Sequence, residues 1–455
     1  MEKRKSEALK RVMIKEKQSD IIPLSRLDTG QICNKTLSVR FMTQLKSDLG
    51  KGKDVFPSIF GLDHVKRRLV EILMTGHGVL LKGDFGVGKT HLSNAIFAIL
   101  RDYYQHNLVF TNKGCPVREN SIHLYNYLTR KDDTAYDNIC PVCRHKYIEE
   151  FTDLDSIMTE RVYLSEGSGF ARVQGNEDIE PERILGMYHL HRYAEIGDPF
   201  DPRVLEPGKI AQGSGGVLFV DELGLLNKEA QYALIQGLQE KQFTPANSRM
   251  TFPVDFLFVA TTNNINEYQI HTAINNRLVG LRVDRVGLDD ELRIVKKELE
   301  GKGFNVDFPE LFLEFLVDTI QLLSDATVYL GPRSSIRASQ IAAASAAIEG
   351  RSVVSYCDVK EGLHTEITGQ ADEETFSTCM EMLAKDFPSI RDFLQNRLPV
   401  IENVAAYFDL FDDFDSALEN VDSEVISPLQ EMLPEGERKR SIVISYLDAY
   451  LRTCP

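Results

Sequence analysis

Residues Gly83–Thr90 read GDFGVGKT. Glycines at 83, 86 and 88 let the backbone curl so that successive N–H groups point inward, and such a nest suits phosphate oxygens. The preceding run, GVLLK at Gly78–Lys82, is apolar like a buried strand, and the following HLSNAIFAIL is spaced like a helix. The loop is therefore expected at a strand-to-helix junction, where the helix dipole adds its positive end. Lys89 can then reach the β- and γ-phosphates of a nucleotide, and Thr90 can ligate Mg²⁺. The nucleotide contacts expected here are Gly83, Asp84, Phe85, Gly86, Val87, Gly88, Lys89, Thr90 and His91.

Two further apolar runs end in polar residues. GGVLFVDELGLL, from Gly215, delivers Asp221 and Glu222 at the end of a strand. Beside a phosphate loop, Asp221 would hold Mg²⁺ through water, and Glu222 would orient and deprotonate the attacking water. FLFVATTNN, Phe256–Asn264, delivers Asn263, which would position that water opposite the γ-phosphate.

A separate group of residues has metal-ligand chemistry. CPV occurs twice, at Cys115 and Cys140, with Cys143 close behind the second. A redox reading of CxxC needs a strand before it, and the preceding RKDDTAYDN is polar and loop-like. A closed zinc site needs four N or S ligands. Cys115, His123, Cys140 and Cys143 supply such a set, with His145 as the alternative fourth ligand. The expected role is structural, zinc replacing a core in a polar insert too small to build one.

The elements that must position these residues follow from the rest of the chain. Its 455 residues are 43% hydrophobic and 26% charged, enough for two or three cores. The three strand candidates, Gly78–Lys82, Gly216–Val220 and Asp255–Thr262, are apolar throughout, as strands buried on both faces must be, which predicts a parallel sheet covered by helices. Between the first two lies a polar stretch of about 100 residues, too long for a plain loop. After Leu288 helical periodicity takes over, as in IRASQIAAASAAIEG, and Phe408–Glu424 carries seven acids and no base. The expected organisation is an N-terminal helical extension over 1–55, an α/β nucleotide-binding domain over 56–287, a helical lid over 288–365 and an acidic helical region over 366–455. Within the second of these, 108–165 is a Cys-rich insert and 170–208 a further insert. The net charge of −16 disfavours nucleic acid and anionic lipid as partners. No apolar run has the length of a membrane span. Seven cysteines, an odd number with four of them scattered singly, do not make a disulfide framework, and a cytoplasmic setting is expected.

The three nucleotide motifs in this order resemble the AAA+ ATPases. VFPSIFGLDHVKRRLVEILMTGHGVLLKGDFGVGKT and the stretch from NEDIEPERILGMYHL to GGVLFVDELGLL are similar to the magnesium-chelatase ATPase subunit and the MoxR proteins, the helix-2-insert clade. The resemblance covers about Phe56–Leu363. It implies an AAA+ P-loop sheet with helices on both faces and a helical lid, to which the residues themselves add the zinc-binding insert and the helical C-terminal region. It also implies an arginine finger at Arg277, in AINNRL, and a sensor 2 arginine at Arg333, in GPRSSIRASQ, with Arg337 as rival. A finger acts in the neighbouring subunit's site, so a homo-oligomeric ring, hexameric in the clade, is implied. So is a partner protein, with a von Willebrand A domain in the relatives, that is remodelled or loaded with a metal or cofactor. The insert phrase CP…HL…CPVC resembles that of the ATPase domain in PrkA-type serine kinases. Two other readings compete: a nucleic-acid motor, and an ATP-binding regulatory switch with little turnover.

Overall fold

The computed structural model describes residues 20–27, 35–84, 86–150, 153–263, 269–326 and 330–368. Phe85, the first 19 residues and the acidic C-terminal region expected over 366–455, from residue 369 on, lie outside the described residues. The described residues form two compact units: one runs to Asp284 without Gly86 and Val87, and the other holds those two residues and the described residues from Arg285 to Thr368.

In the first unit the elements run β1 (Ile21–Pro23), α1 (Leu37–Gly50), α2 (Asp63–Met74), β2 (Gly78–Lys82), α3 (Lys89–His106), β3 (Phe110–Asn112) and α4 (Ser121–Arg130). They continue through β4 (Met158–Arg161), β5 (Ser165–Glu166), β6 (Gly169–Gln174), β7 (Gly186–Tyr188), β8 (Leu205–Pro207), α5 (Lys209–Gly213) and β9 (Val217–Asp221). The unit ends with α6 (Lys228–Gln239), β10 (Gln242–Phe243), β11 (Phe252–Pro253), β12 (Leu257–Thr262) and β13 (Leu278–Arg282).

The main sheet has the order β13-β2-β12-β9-β6-β5, and every pairing in it is parallel. Val79, Leu80 and Leu81 are all fully buried, as are Val217 to Val220. Consecutive strand residues point to opposite faces, so both faces of these strands are covered, which is why their sequence is apolar without alternation. Three strands of this sheet were not anticipated: the two-residue β5 and two longer ones. β6, GFARVQ, carries Arg172 and Gln174 among its apolar residues, and β13, LVGLR, is short with two exposed central residues.

The expectation that the Cys-rich insert lacks a core is overturned. Val117, Ile122, Leu124, Ile139, Val142 and Ile157 are each at most 3% exposed and join a cluster with Ala171 and Leu218 of the main sheet. These apolar residues are scattered singly through polar sequence, so no run announces them. The insert also builds its own antiparallel sheet, β1-β4-β3, which recruits Ile21–Pro23 from the N-terminal segment.

The second unit comprises α7 (Leu288–Glu300), α8 (Glu310–Ala326), α9 (Pro332–Ile348) and α10 (Tyr356–Thr368). Pro332 at the first turn of α9 loses no helical hydrogen bond, and Ala338, Ala342, Ala343 and Ala346 form its buried stripe. Small residues allow close approach: a Cβ on Gly362 of α10 would lie 2.4 Å from the Ala338 carbonyl oxygen. Arg285 pairs with the fully buried Glu291 at 2.9 Å, and Gln321 and Ser335 also donate to that carboxylate.

Candidate nucleotide site and thiol cluster

Parallel strands end on the same side, and the loops at their carboxyl ends form the natural crevice of an open α/β sheet. Lys82 pairs with Thr262, Ala260 with Val220, and Asp221 with Gln174. The loop after β2, Asp221-Glu222 after β9 and Asn263 after β12 are thereby brought to one edge.

The loop backbone is shaped for an anion. Gly86 and Gly88 have φ of +82° and +91°, conformations that disfavour a side chain, and Gly88 caps the N-terminus of the 18-residue α3. Lys89 folds back so that Nζ donates to the carbonyls of Gly83 at 2.6 Å and Asp84 at 2.7 Å. Those bonds hold the ammonium at the mouth of the loop. Thr90 lies in the first turn of α3, half-buried, and His91 beside it is exposed. The Gly83 N–H donates to the Thr262 carbonyl, tying the loop to β12.

The two carboxylates are held by groups that motif reading does not find. The Thr261 hydroxyl, fully buried, donates to Asp221 Oδ1 at 2.7 Å and accepts from the Glu222 N–H at 2.9 Å. Arg172 Nη2 donates to Asp221 Oδ2 at 2.6 Å, and Gln174 Nε2 lies 3.4 Å from Glu222 Oε2. Glu222 has φ +54° and ψ +55°, a left-handed conformation that costs a non-glycine residue about 1–2 kcal/mol. Gly175 must be glycine for a different reason: its Cβ would sit 2.0 Å from the Glu222 carbonyl oxygen. Asn263 is 3% exposed at the end of β12.

Arg277, expected as a finger, lies just before β13. Its Nε donates to Gln239 Oε1 at 2.9 Å and its guanidinium also reaches the Ala273 carbonyl. Of the two sensor 2 candidates, Arg337 makes a two-pronged ion pair with Glu366, a side chain only 6% exposed. Those hydrogen bonds raise the Arg337 pKa further. Arg333, one turn earlier, is exposed, and its Cγ lies 3.4 Å from where a Gly86 Cβ would stand.

The insert brings Cys115, Cys140 and Cys143 together, but the fourth member is Glu119. One ligand atom from each lies within 4.8 Å of all the others, and all four residues are buried. His123 is not in this group. It lines a cavity with Arg40, Tyr104 and Asp255, and burial followed by the Arg40 charge lowers its pKa to about 4. The alternative, His145, bonds Glu149 at 2.8 Å and stacks on Phe200 with centroids 4.1 Å apart. The physical reason is local. Asn120 caps α4 by accepting from the Ile122 N–H, so that His123 lies in the first turn of a helix while Cys115 and Glu119 lie on the loop before it. Cys115 and Glu119, four residues apart with Arg118 at φ +51° between them, lie on the inside of that loop.

Burial pushes the Glu119 carboxyl and the Cys140 thiol well up, and hydrogen bonding with Cys115 and Cys140 raises Cys143. Against burial, hydrogen bonds from Cys140 and Cys143 hold Cys115 well below the usual thiol range. The sequence signal for Glu119 was present in CPVRE but is indistinguishable from any other acid in a polar stretch.

Among known proteins, the Sigma-54 interaction domain family matches residues 202–280, the stretch with β9, β12 and Arg277. The magnesium-chelatase subunit ChlI homolog of Methanocaldococcus jannaschii is 23% identical over 352 residues, 70% of this chain and 86% of that protein. The ATP-dependent protease PrkA of Bacillus subtilis is 23% identical over 269 residues, 52% of this chain and 42% of that protein. The archaeal Lon protease of Methanothermobacter thermautotrophicus is 30% identical over 285 residues, 52% of this chain and 44% of that protein. The chain thus spans less than half the length of the last two. A solved complex of subunits BchI and BchD of magnesium chelatase aligns with TM-score 0.35 and 17% identity, over 71% of this chain and 98% of that one.

Proposed function

We propose that this chain, an AAA+ ATPase, hydrolyses ATP at the carboxyl edge of its parallel sheet and uses the cycle to remodel or activate a partner protein. The observation that carries the reading is the network in which one buried hydroxyl, on Thr261 of β12, the strand between the phosphate-loop strand and β9, fixes both Asp221 and the backbone of Glu222. Lys89, Thr90 and the loop N–H groups hold the triphosphate. Mg²⁺, when bound, neutralises charge that develops on the phosphoryl oxygens. Asp221 is the acceptor for its hydration shell, Glu222 takes the proton of the attacking water, and Asn263 orients that water. Arg277 reaches the site of a neighbouring copy, and Arg333 serves as sensor 2, since Arg337 is committed to Glu366.

The chain works as a ring of identical subunits, hexameric as in the chelatase and MoxR clade. Its substrate is another protein. Metal or cofactor insertion is the chelatase-like form of that activity. The insert holds a structural zinc ion at its cysteines. Protease activity does not carry over, because the match covers under half of PrkA and Lon. A nucleic-acid motor is disfavoured by the net charge of −16.

The shared site is tested by mixing variants. Arg277→Ala should bind ATP normally and lose about 10³-fold or more in turnover. Adding Lys89→Ala subunits should restore part of the rate, since each lacks a different half of the site. No rescue, with a monomeric mass in ATP, overturns the ring.

A further inference from the structure

We propose that Glu119 is the fourth ligand of a closed Cys₃Glu zinc site in the insert, completing the set Cys115, Cys140 and Cys143. This deepens the reading that the insert binds a metal at its cysteines, and rests on it.

The geometry supports a tetrahedron. Zinc–sulfur bonds of about 2.3 Å at the tetrahedral angle put two sulfurs about 3.8 Å apart. Cys115 Sγ and Cys140 Sγ are 3.7 Å apart, too far for a disulfide and right for two ligands of one ion. A carboxylate oxygen of Glu119 falls within 4.8 Å of every sulfur, and no histidine belongs to the group. Three buried thiols and a buried carboxyl around one point have no shared purpose in a core, where each would separately meet apolar neighbours.

The surroundings are arranged as an outer shell that orients ligands and donates to them. Asn112, fully buried, donates through Nδ2 to Glu119 Oε1 at 2.9 Å, and the same nitrogen lies 3.7 Å from Cys143 Sγ. The Cys140 N–H donates to Glu119 Oε2, and the Cys143 N–H lies 3.4 Å from Cys140 Sγ. Backbone and amide donors are thus aimed at the sulfurs and the carboxylate. The loop bearing Cys115 and Glu119 is fixed from the other side by Arg118. Its guanidinium donates to Ser168 and to the carbonyls of Gln212 at 2.7 Å and Ser214 at 3.3 Å. Three soft thiolates select zinc over Mg²⁺ or Ca²⁺, and four protein ligands leave no open position, so the ion is structural.

The test uses the full chain loaded with Zn²⁺ or with Co²⁺ as its spectroscopic stand-in. The wild type should bind one equivalent, and Co²⁺ should show tetrahedral d–d bands with thiolate charge-transfer intensity for three sulfurs. Glu119→Gln should weaken binding by more than about 100-fold, beyond the 10- to 100-fold typical of outer-shell changes. Glu119→Cys should restore tight binding and add a fourth sulfur's intensity. His123→Ala should leave both metal content and spectrum unchanged. If Glu119→Gln binds like the wild type, or His123→Ala loses the ion, Glu119 is not the ligand, although the three-cysteine reading stands. If the wild type holds no zinc and alkylates freely at Cys140 and Cys143 in the native state, the metal reading itself is overturned.

Discussion

Replacing Thr261 with valine removes one hydroxyl and almost no volume from a fully buried position. That hydroxyl makes two contacts, to Asp221 Oδ1 at 2.7 Å and from the Glu222 N–H at 2.9 Å. Losing a hydrogen bond to a charged group removes about 1.5–3 kcal/mol, and an unpaired N–H costs about 1–3 kcal/mol. Glu222 can escape the second penalty. Its left-handed backbone is strained by about 1–2 kcal/mol, and once released it relaxes towards the extended region. The net loss of stability is then only about 1–2 kcal/mol, while the Glu222 carboxylate moves out of line. Removing roughly 1.5–3 kcal/mol of positioning from the transition state corresponds to about a 10- to 100-fold fall in kcat. Phosphate release at saturating Mg-ATP should show that fall, with the nucleotide Kd unchanged because the phosphate loop is untouched. Thr261→Ser, which keeps the hydroxyl, should recover most of the rate. A Thr261→Val protein with wild-type kcat, or a Thr261→Ser protein equally impaired, would refute the positioning argument.

Two further outcomes follow from particular side chains. His123, with its pKa lowered from 6.5 to about 4, binds its proton more readily in the unfolded chain, so stability is unaffected above pH 6.5 and falls as pH drops towards 4. The full penalty is about 3 kcal/mol at 1.36 kcal/mol per unit; melting curves of His123→Gln should be flatter over that window, and an identical slope would exclude His123 as the cause. Arg337→Met should lower melting by the equivalent of about 1–2 kcal/mol by stranding Glu366, whereas Arg333→Ala should leave melting unchanged and cut turnover about 10-fold or more; the reverse pattern would transfer the sensor role to Arg337.

The phosphate loop and the strands β2, β9 and β12 were legible because each is written in consecutive residues: an unbroken apolar run followed by glycines or acids. β6 was not, because its place beside β9 at the site demands Arg172 and Gln174, which break the apolar run. The residues that hold Asp221 were invisible for the same reason. Thr261 reads as one more strand residue in VATT, and only the pairing of β12 with β9 shows which hydroxyl faces which carboxylate. The cysteine pattern announced a cluster and its three sulfurs. It could not choose the fourth ligand, because that depends on the turn at Arg118 and on where the capped α4 begins. Nor did the insert's polarity reveal its core, since Val117, Ile139 and Ile157 stand singly among polar neighbours.

If Glu222 takes the water's proton beside the Gly83–Thr90 loop, ATP cleavage must depend on its carboxylate. The most direct test is a single measurement of phosphate release under saturating Mg-ATP, on the wild type and on Glu222→Gln, with bound nucleotide recovered and identified. The wild type should turn over, and the substituted protein should bind ATP and retain it uncleaved, because an amide cannot accept the water's proton. Equal phosphate release from the two proteins would contradict it.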